Sequence, residues 1–372
     1  MTSVRLDMWR RLSGASCLRP AVPNIRTGAQ GYTWGRPAAE SRIQGMLSRT
    51  DPPGPGPVLS DHEPVAELWL LVDDPVFPDL INLAGGNRLP LSELFQEYGP
   101  ELLGEAHLAR HGVRLGVAAK IIDTAVQVSR GTLSAQVHRR ETAGCGAKPE
   151  TWFGLAEGSF VHAGLRRTMN HEEFVASCRN GAIEHLMHRF DLSPGAVFHV
   201  PGGLPHAIGC DTTLLEISVA PTDADPRPLG ERTVSFYDRW GGRQARENKE
   251  QPELAADLIA QAGFLNAAPP ALLTWDLVTS APGWLLRVTR PHKEYLFARL
   301  QVDGEVDDHS LQHTGAIPGD GPLMLLVLNG CGTLLTCRAE PLALHDYLLV
   351  PHCDRGFTLQ AEEPLDLAVW MP

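Results

Sequence analysis

Short runs of apolar or alternating residues recur along most of the chain, and glycine and proline separate them. The pattern predicts strands at 65–72, 121–128, 133–138, 152–155, 159–162, 196–200 and 213–219, and again at 284–289, 295–302, 323–328, 333–337, 346–350 and 366–370. Frequent short strands of this kind are typical of a sandwich or a barrel. The two strand-rich blocks therefore predict a mainly β fold made of two β-barrels in tandem.

Three segments with helical spacing of apolar residues interrupt the strands. The first covers 91–111 and is predicted as one or two helices, and the last covers 253–262. The middle segment begins at Asn170, an N-cap candidate with Glu173 three residues later, and continues to 190. We therefore expect helical insertions in a mainly β chain.

These elements divide the chain into four predicted parts. Residues 1–57 form an irregular N-terminal segment that ends in a Pro/Gly loop. Residues 58–245 contain the first block of strands, with the helical insertion around 170–190, and residues 283–372 contain the second block. A helical connection, 246–282, joins the two blocks. We expect each block to form one barrel domain.

Composition and charge narrow the functional classes. Of the 372 residues, 43% are hydrophobic and 20% charged, a globular rather than a disordered balance. The net charge of −12 argues against a nucleic-acid or membrane-surface partner. The seven cysteines form no C-x-x-C pair, so neither a disulfide framework nor a zinc knuckle is indicated. No apolar run has the length of a membrane span or of a signal-peptide core, so we expect a cytoplasmic protein.

One segment has the spacing of a metal-site motif. Gly195, Pro201, Gly203 and His206 fit G-x5-P-x-G-x2-H, the second cupin motif, although Cys210 stands where the motif ends in asparagine. In this motif a strand enters a Pro/Gly turn that aims one histidine into the barrel. The alternative is a Pro/Gly turn that carries a surface histidine.

A second polar pattern lies upstream. In a strand at 133–138, alternation places Ser134, Gln136 and His138 on one face, and Glu150 begins another strand twelve residues later. The alternative is an exposed polar face. Together with His206, the amide, the carboxylate and the imidazoles would form a mixed nitrogen and oxygen site for zinc or a similar divalent ion. Such a donor set leaves the ion with positive charge, which favours Lewis-acid chemistry on a hydroxyl or carbonyl.

Three cations are candidates for an anionic substrate. Arg227 follows the predicted strand at 213–219 and could reach back over the metal, although a solvated loop is the alternative. Lys120 and Lys148 lie near the predicted site in sequence, and for each of them the alternative is a surface charge.

These residues together resemble one family, the class I mannose-6-phosphate isomerases, which are zinc-dependent cupin enzymes. The similarity runs from Tyr32-Thr33-Trp34-Gly35 to the end of the chain. It includes Gln136 with His138, then Lys148-Pro149-Glu150, then the segment 201–208. The patterns Q-x-H, K-P-E and P-x-G-x-x-H-A-I, in this order, are specific to that family among cupins.

The resemblance implies roles for nine residues. It implies two cupin (jelly-roll) barrels, with one Zn²⁺ per chain in the first barrel. The segments 326–334 and 346–351 also look like cupin strands but have no His/Glu set with the metal-site spacing, so we expect a second, metal-free barrel with a structural role. The implied zinc ligands are Gln136, His138, Glu150 and His206. The resemblance also assigns proton handling to Lys148, substrate binding to Ser134, Lys120 and Trp34, and a catalytic cation to Arg227.

The family's catalytic arginine is the main point of departure. In many members it lies in a T-Y-R-x-Y-D stretch, and Ser235 stands at the arginine position here. An alignment with the P-T-D-x-x-x-R form of other relatives favours Arg227, with Arg232 as the fallback. Arg139 also departs from the family, which has proline after the histidine.

The function that we expect is the interconversion of mannose 6-phosphate and fructose 6-phosphate through a cis-enediol. The expected partner is a small sugar phosphate, with no nucleic acid or membrane, and the expected state is a monomer or homodimer. One alternative is a non-catalytic cupin that binds a sugar or sugar phosphate, which the serine at 235 favours. Another alternative is an isomerase of a different sugar.

Overall fold

Three antiparallel sheets and a small hairpin contain the strands that the structure describes. The computed structural model describes residues 7–8, 10–12, 17–30, 32, 34–47, 58–74, 78–84, 86–125, 134–140, 147–220, 232–237, 250–267, 270 and 272–372. The hairpin consists of β4 (Leu80–Asn82) and β5 (Arg88–Pro90). No helix in this described part of the chain is long and apolar enough to cross a membrane.

The first sheet has seven strands. They are β1 (Asn24–Thr27), β2 (Arg36–Pro37), β3 (Pro64–Leu70), β6 (Val117–Asp123), β8 (Glu150–Gly154), β11 (Val197–Val200) and β13 (Thr213–Val219). Their order is β1-β3-β6-β13-β8-β11, with β2 also paired to β3. Both faces of β8 and β13 are buried, so the middle of this sheet is covered on both sides.

The second sheet has five strands and faces the first. They are β7 (Ala135–His138), β9 (Phe160–Leu165), β10 (Met187–Asp191), β12 (His206–Ile208) and β14 (Thr233–Tyr237), in the order β10-β9-β12-β7-β14. An apolar cluster between the two sheets includes Trp152 and Phe198 from the first and Val161 and Ile208 from the second. We call these two sheets the first barrel.

The third sheet has eight strands and follows the first barrel in the chain. They are β15 (Leu277–Ala281), β16 (Trp284–His292), β17 (Tyr295–Val302), β18 (Glu305–Asp307), β19 (Leu323–Leu335), β20 (Ala339–Ala343), β21 (Tyr347–Val350) and β22 (Thr358–Met371). The main path is β15-β16-β17-β22-β19-β20, with β18 paired to β22 and β21 to β19. Side chains of this sheet form most of a separate apolar cluster. We call this sheet the second barrel.

The α-helices cover the outside of the barrels. They are α1 (Gln44–Leu47), α2 (Leu91–Leu102), α3 (Glu105–His111), α4 (His171–Arg179), α5 (Pro252–Gln261) and α6 (Asp308–His313). Shorter 3-10 helices cover Gly28–Gln30, Ala38–Glu40, Ile183–Leu186 and His352–Asp354. The capping box predicted at Asn170 is present. The side-chain oxygen of Asn170 accepts a hydrogen bond from the backbone N–H of Glu173, and the Glu173 carboxylate accepts one from the backbone N–H of Asn170.

The predicted helix through residue 190 is wrong in its second half. The helix α4 ends at Arg179, and Gly181 then has a φ of +76°, a conformation that stops a helix and favours glycine. After a 3-10 turn the chain continues as β10, which gains its backbone hydrogen bonds from β9. The helical insertion is therefore shorter than predicted.

Two further predictions need correction. The predicted strands at 323–328 and 333–337 are parts of one strand, β19. Gly330 has a φ of +81°, and shifts in register around it keep β19 paired with β22 on both sides of the glycine. The N-terminal segment is not irregular throughout, because β1 pairs with β3 and the side chains of Met8 and Leu18 are buried in the core. The domain limits at 57, 245 and 282 stay predictions.

The two barrels pack against each other through one face of the first sheet. Phe153 of β8 and Ile217 of β13 lie in the same apolar cluster as Tyr295 and Phe297 of β17. The rings of Phe153 and Phe297 are 5.3 Å apart, within the range of favourable aromatic pairs. Strand β8 therefore has one face towards the interior of the first barrel and the other towards the second barrel.

Candidate metal centre

Cross-strand register brings the predicted ligands of the second sheet together. His206 of β12 lies directly opposite Gln136 of β7, and Ser235 of β14 lies opposite Gln136 on the other side. Directly paired residues point to the same face of a sheet, and so do residues two apart in one strand. Gln136, His138 and His206 therefore share one face, while Val137 packs on the outer face with α4 and α5.

Glu150 reaches the same place from the first sheet. One possible ligand atom from each of His138, Glu150 and His206 lies within 4.8 Å of the others. His138 Nε2 is 2.9 Å from Glu150 Oε1, and His206 Nε2 is 3.9 Å from Glu150 Oε2. All three side chains are fully buried. Two sheets thus converge on one cluster of two imidazoles and a carboxylate.

The cluster fits a divalent metal ion by its unsatisfied atoms. The Nε2 atoms of His138 and His206 are buried, and apart from the Glu150 carboxylate, at 2.9 and 3.9 Å, they have no polar partner among the described residues. The other ring nitrogens do have partners, because His206 Nδ1 donates to the Leu204 carbonyl at 2.8 Å and His138 Nδ1 lies 3.1 Å from Thr233 Oγ1. Contacts of this type orient an imidazole so that its free nitrogen can bind a metal.

The protonation states also suit a metal ion. Burial lowers the pKa of His138 and lowers that of His206 to about 3, so both rings are neutral. Burial by itself raises the pKa of Glu150, but the neighbouring His138 and Lys148 outweigh it and hold that pKa well below its usual range. Neutral imidazoles and an ionised carboxylate are the forms that coordinate zinc.

Two neighbours hold the carboxylate of Glu150. Trp152 Nε1 donates to Oε2 at 3.1 Å, and Lys148 Nζ donates to Oε1 at 2.5 Å. The Trp152 ring also contacts the His206 ring edge-on, with centroids 5.4 Å apart. The predicted lysine of the K-P-E stretch is therefore placed directly beside the cluster.

A row of buried charges continues from this cluster across the first sheet. The Glu216 carboxylate lies 3.8 Å from Lys148 Nζ on one side and 3.6 Å from Lys120 Nζ on the other. Lys120 Nζ also donates a hydrogen bond to the Glu67 carboxylate at 3.0 Å. Burial and the Glu150 carboxylate raise the pKa of Glu216 to about 7. Burial lowers the pKa of Lys120, but Glu216 and Glu67 outweigh it and raise that pKa.

Glu67 and Glu216 are site residues that the sequence analysis missed. Each is a buried carboxylate in the middle of a strand whose other side chains are mostly apolar. A charged residue is rarely buried without a partner, so a glutamate within an apolar strand was the signal that pointed to the interior. The lysine that partners both of them, Lys120, was predicted.

The remaining predicted residues that the structure describes lie outside the His–Glu–His cluster. Ser134 immediately precedes β7, and Trp34 is half-buried against the apolar cluster inside the first barrel. Arg227 lies outside the described residues. Arg232 is 2% exposed and donates to the Ala147 carbonyl at 3.4 Å, next to Lys148 in the chain.

The first barrel has two facing sheets around a buried His–Glu–His cluster, and the second barrel follows it in the chain. These features define a mainly β protein with a candidate metal centre in its first barrel. The same fold occurs in the mannose 6-phosphate isomerase of Bacillus subtilis, at a TM-score of 0.70 and 19% identity over 96% of this chain and 100% of that one. A putative mannosephosphate isomerase from Archaeoglobus fulgidus matches at 0.64 and 18%, over 96% and 98% of the two chains.

A variant of the phosphomannose isomerase from Salmonella typhimurium matches with a TM-score of 0.67 and 14% identity, over 96% of this chain and 99% of that one. No protein-family model matches the sequence, and no curated protein matches it. The predicted resemblance is therefore confirmed at the level of the fold, as is the mainly β class with helical insertions.

Proposed function

We propose that the protein is a zinc-dependent aldose–ketose isomerase that interconverts mannose 6-phosphate and fructose 6-phosphate. The observation that carries the proposal is the buried cluster of His138, Glu150 and His206, with Gln136 in register beside it. The cluster lies in a chain that shares the fold of phosphomannose isomerase structures over 96% of its length. The fold and the cluster together support the proposed isomerase class.

Zinc is the ion that we propose, with one ion per chain. Two imidazoles and one carboxylate are common zinc ligands, and the Gln136 amide on the same face supplies a fourth, weaker oxygen ligand. A divalent ion held by these residues would keep net positive charge and would polarise substrate oxygens. Because the protein ligands carry only one negative charge, the donor set suits a catalytic site better than a closed structural one.

The reaction moves one proton between C2 and C1 of the sugar and another between O2 and O1, through a cis-enediol. Lys148 is the proton-handling group that we propose, because its ammonium is 2.5 Å from Glu150 Oε1 and thus beside the cluster. Glu216 lies 3.8 Å from the same nitrogen, and its pKa of about 7 lets it exchange a proton near neutral pH. The two residues form a proton relay at the edge of the site.

Substrate binding and charge stabilisation fall to the other predicted residues. We assign Ser134, Lys120 and Trp34 to the sugar phosphate, and Arg227 to the negative charge that develops during proton transfer. Arg232 is the fallback for that role because its guanidinium is buried close to the segment that carries Lys148. The proposal includes a cytoplasmic monomer or homodimer whose partner is a small sugar phosphate.

A second candidate function is a cupin that binds a sugar or its phosphate without turnover. The observation that favours it is Ser235, which is buried and directly opposite Gln136, at the position of the family's arginine. An isomerase of a different sugar is the other alternative, and it predicts turnover of that sugar with the same metal.

The experiment that separates these functions measures metal and turnover in the same preparation. The purified protein is assayed with mannose 6-phosphate, fructose 6-phosphate and free mannose, before and after chelation and after zinc is added back. We expect interconversion of the two phosphates that is lost on chelation and restored by zinc. Zinc-loaded protein that binds mannose 6-phosphate without converting it would support the non-catalytic cupin instead.

A further inference from the structure

The second barrel reaches the strand that carries Glu150 through one buried tyrosine. Tyr295 begins β17 and is 3% exposed, and its hydroxyl lies 2.7 Å from Thr151 Oγ1 on β8. The same hydroxyl donates to the Ile217 carbonyl on β13 at 3.4 Å. Thr151 and Ile217 are themselves directly paired across the two strands. A single phenol from the second barrel therefore links two adjacent strands of the first.

The two linked strands carry two of the buried charges of the candidate site, Glu150 and Glu216, on their other face. Side chains alternate along a strand, so Thr151 points towards the second barrel while its neighbours Glu150 and Trp152 point inwards. Glu216 likewise neighbours Ile217. A contact that fixes Thr151 from outside therefore fixes the position and rotation of the backbone from which Glu150 extends.

Other contacts make the position of Thr151 more rigid. Its hydroxyl also lies 3.4 Å from Nδ1 of His199, the residue opposite it on β11. Phe153, the next outward residue of β8, packs against Phe297 of β17, the next residue of the same face as Tyr295. The outer face of β8 is thus held by one polar and one aromatic contact from the second barrel, and the polar one has the directional geometry of a hydrogen bond.

We infer that Tyr295 is a positioning residue for the metal centre, and that the second barrel holds Glu150 in place through the hydrogen bond between the hydroxyls of Tyr295 and Thr151. The inference rests on the proposed function, since it takes Glu150 as a metal ligand. It gives the second barrel a role beyond packing, because removal of one hydroxyl there changes metal binding in the other barrel. Contacts that orient a metal ligand commonly change metal affinity by about 10- to 100-fold.

Two substitutions remove the hydrogen bond from opposite ends, Tyr295→Phe and Thr151→Val, and each keeps most of the side-chain volume. The matched control is Tyr347→Phe, which deletes the same hydroxyl from a tyrosine of the second barrel that is 6% exposed and lies near Asp79 rather than β8. The measurements are zinc affinity by chelator competition and the visible absorption spectrum of the Co²⁺-substituted protein, which reports ligand geometry.

We expect Tyr295→Phe and Thr151→Val each to weaken zinc binding by about 10-fold and to shift the Co²⁺ spectrum. The double variant should lose clearly less than the sum of the two single losses, because the bond between Tyr295 and Thr151 is already absent in each single variant. The control should keep wild-type affinity and spectrum. Wild-type zinc affinity and Co²⁺ spectrum in both test variants, or an equal loss in the control, would overturn this inference and leave the proposed function unaffected. A wild-type protein that binds neither ion would overturn the proposed function with it.

Discussion

Replacement of Glu150 by glutamine separates the structural role of this residue from its role as a metal ligand. The substitution keeps the size of the side chain and removes its charge. The carboxylate accepts hydrogen bonds from Lys148 Nζ and Trp152 Nε1, and its Oε1 lies 2.9 Å from Nε2 of His138. The variant therefore weakens a buried ion pair and also removes the single anionic ligand of the His–Glu–His cluster.

The chain offers a closely matched control in Glu67. Its carboxylate accepts from Lys120 Nζ at 3.0 Å and from Trp69 Nε1 at 2.9 Å, so it has the same two kinds of partner as Glu150. It is 7% exposed and lies in the interior of the same barrel. It is not part of the His–Glu–His cluster. Glu67→Gln thus removes an equivalent ion pair without removing a metal ligand.

The two variants should lose similar stability. Removal of one partner from a buried ion pair costs about 3–5 kcal/mol of unfolding free energy. In each variant the remaining lysine still has Glu216 nearby, at 3.8 Å from Lys148 and 3.6 Å from Lys120. We therefore expect the lower end of that range, about 3 kcal/mol, for both variants in the metal-free state.

Metal binding should differ sharply between them. Because Glu150→Gln removes the anionic ligand, zinc affinity should fall by at least about 100-fold, which corresponds to about 2.7 kcal/mol. Glu67→Gln should stay within about threefold of wild type, or about 0.7 kcal/mol. Urea unfolding of the metal-free proteins gives the first quantity, and chelator competition gives the second. Wild-type zinc affinity in Glu150→Gln, or an equal loss in Glu67→Gln, would refute the assignment of Glu150 as a ligand.

Three further predictions follow from the site and the core. Arg227→Ala should lower kcat by about 100-fold or more with zinc content unchanged, and a larger effect of Arg232→Ala would move the catalytic role to that residue. Lys148→Met should lower kcat by about 100-fold or more, because it removes the proposed proton-handling group. Lys120→Met should mainly raise KM for the phosphorylated sugar, and steady-state kinetics of the two variants at equal zinc content distinguish these effects. Burial raises the pKa of Asp79 to about 7, so the folded protein binds its proton more tightly than the unfolded chain, and stability falls as pH rises from about 4 to 7. Because burial also raises the pKa of Asp73 to about 6 and that of Glu216 to about 7, Asp79→Asn should reduce this slope in pH-dependent urea unfolding without abolishing it, and an unchanged slope would contradict the assignment.

Local signals in the sequence predicted some elements closely. The strand predicted at 213–219 matches β13, because an apolar run bounded by turn residues forms a buried strand with little influence from elsewhere. The capping box at Asn170 is also local, since both of its hydrogen bonds join residues three apart. The sequence named His138, Glu150 and His206 together for a different reason, because the motif spacing at His206 and the family resemblance pointed to all three, and the structure brings them together.

Features that depend on distant pairing escaped the sequence analysis. Residues 187–191 form β10 only because β9 supplies the backbone partners, so their helical spacing was misleading. A glutamate within an apolar strand signals burial at Glu67 and Glu216, but their position beside Lys120 follows from the pairing of β3 and β13 with β6. The contact between Tyr295 and Thr151 joins residues 144 positions apart in the chain. Such contacts are fixed by the packing of the two barrels.

The most direct test of the central claim follows the reaction by NMR in heavy water. Zinc-loaded protein is incubated with mannose 6-phosphate, and the accumulation of fructose 6-phosphate and its deuterium content at C1 are measured. Proton transfer between adjacent carbons through an exchangeable base predicts conversion with solvent deuterium at C1, abolished in Glu150→Gln. A fully zinc-loaded protein that leaves both sugar phosphates unconverted and unlabelled would contradict the account.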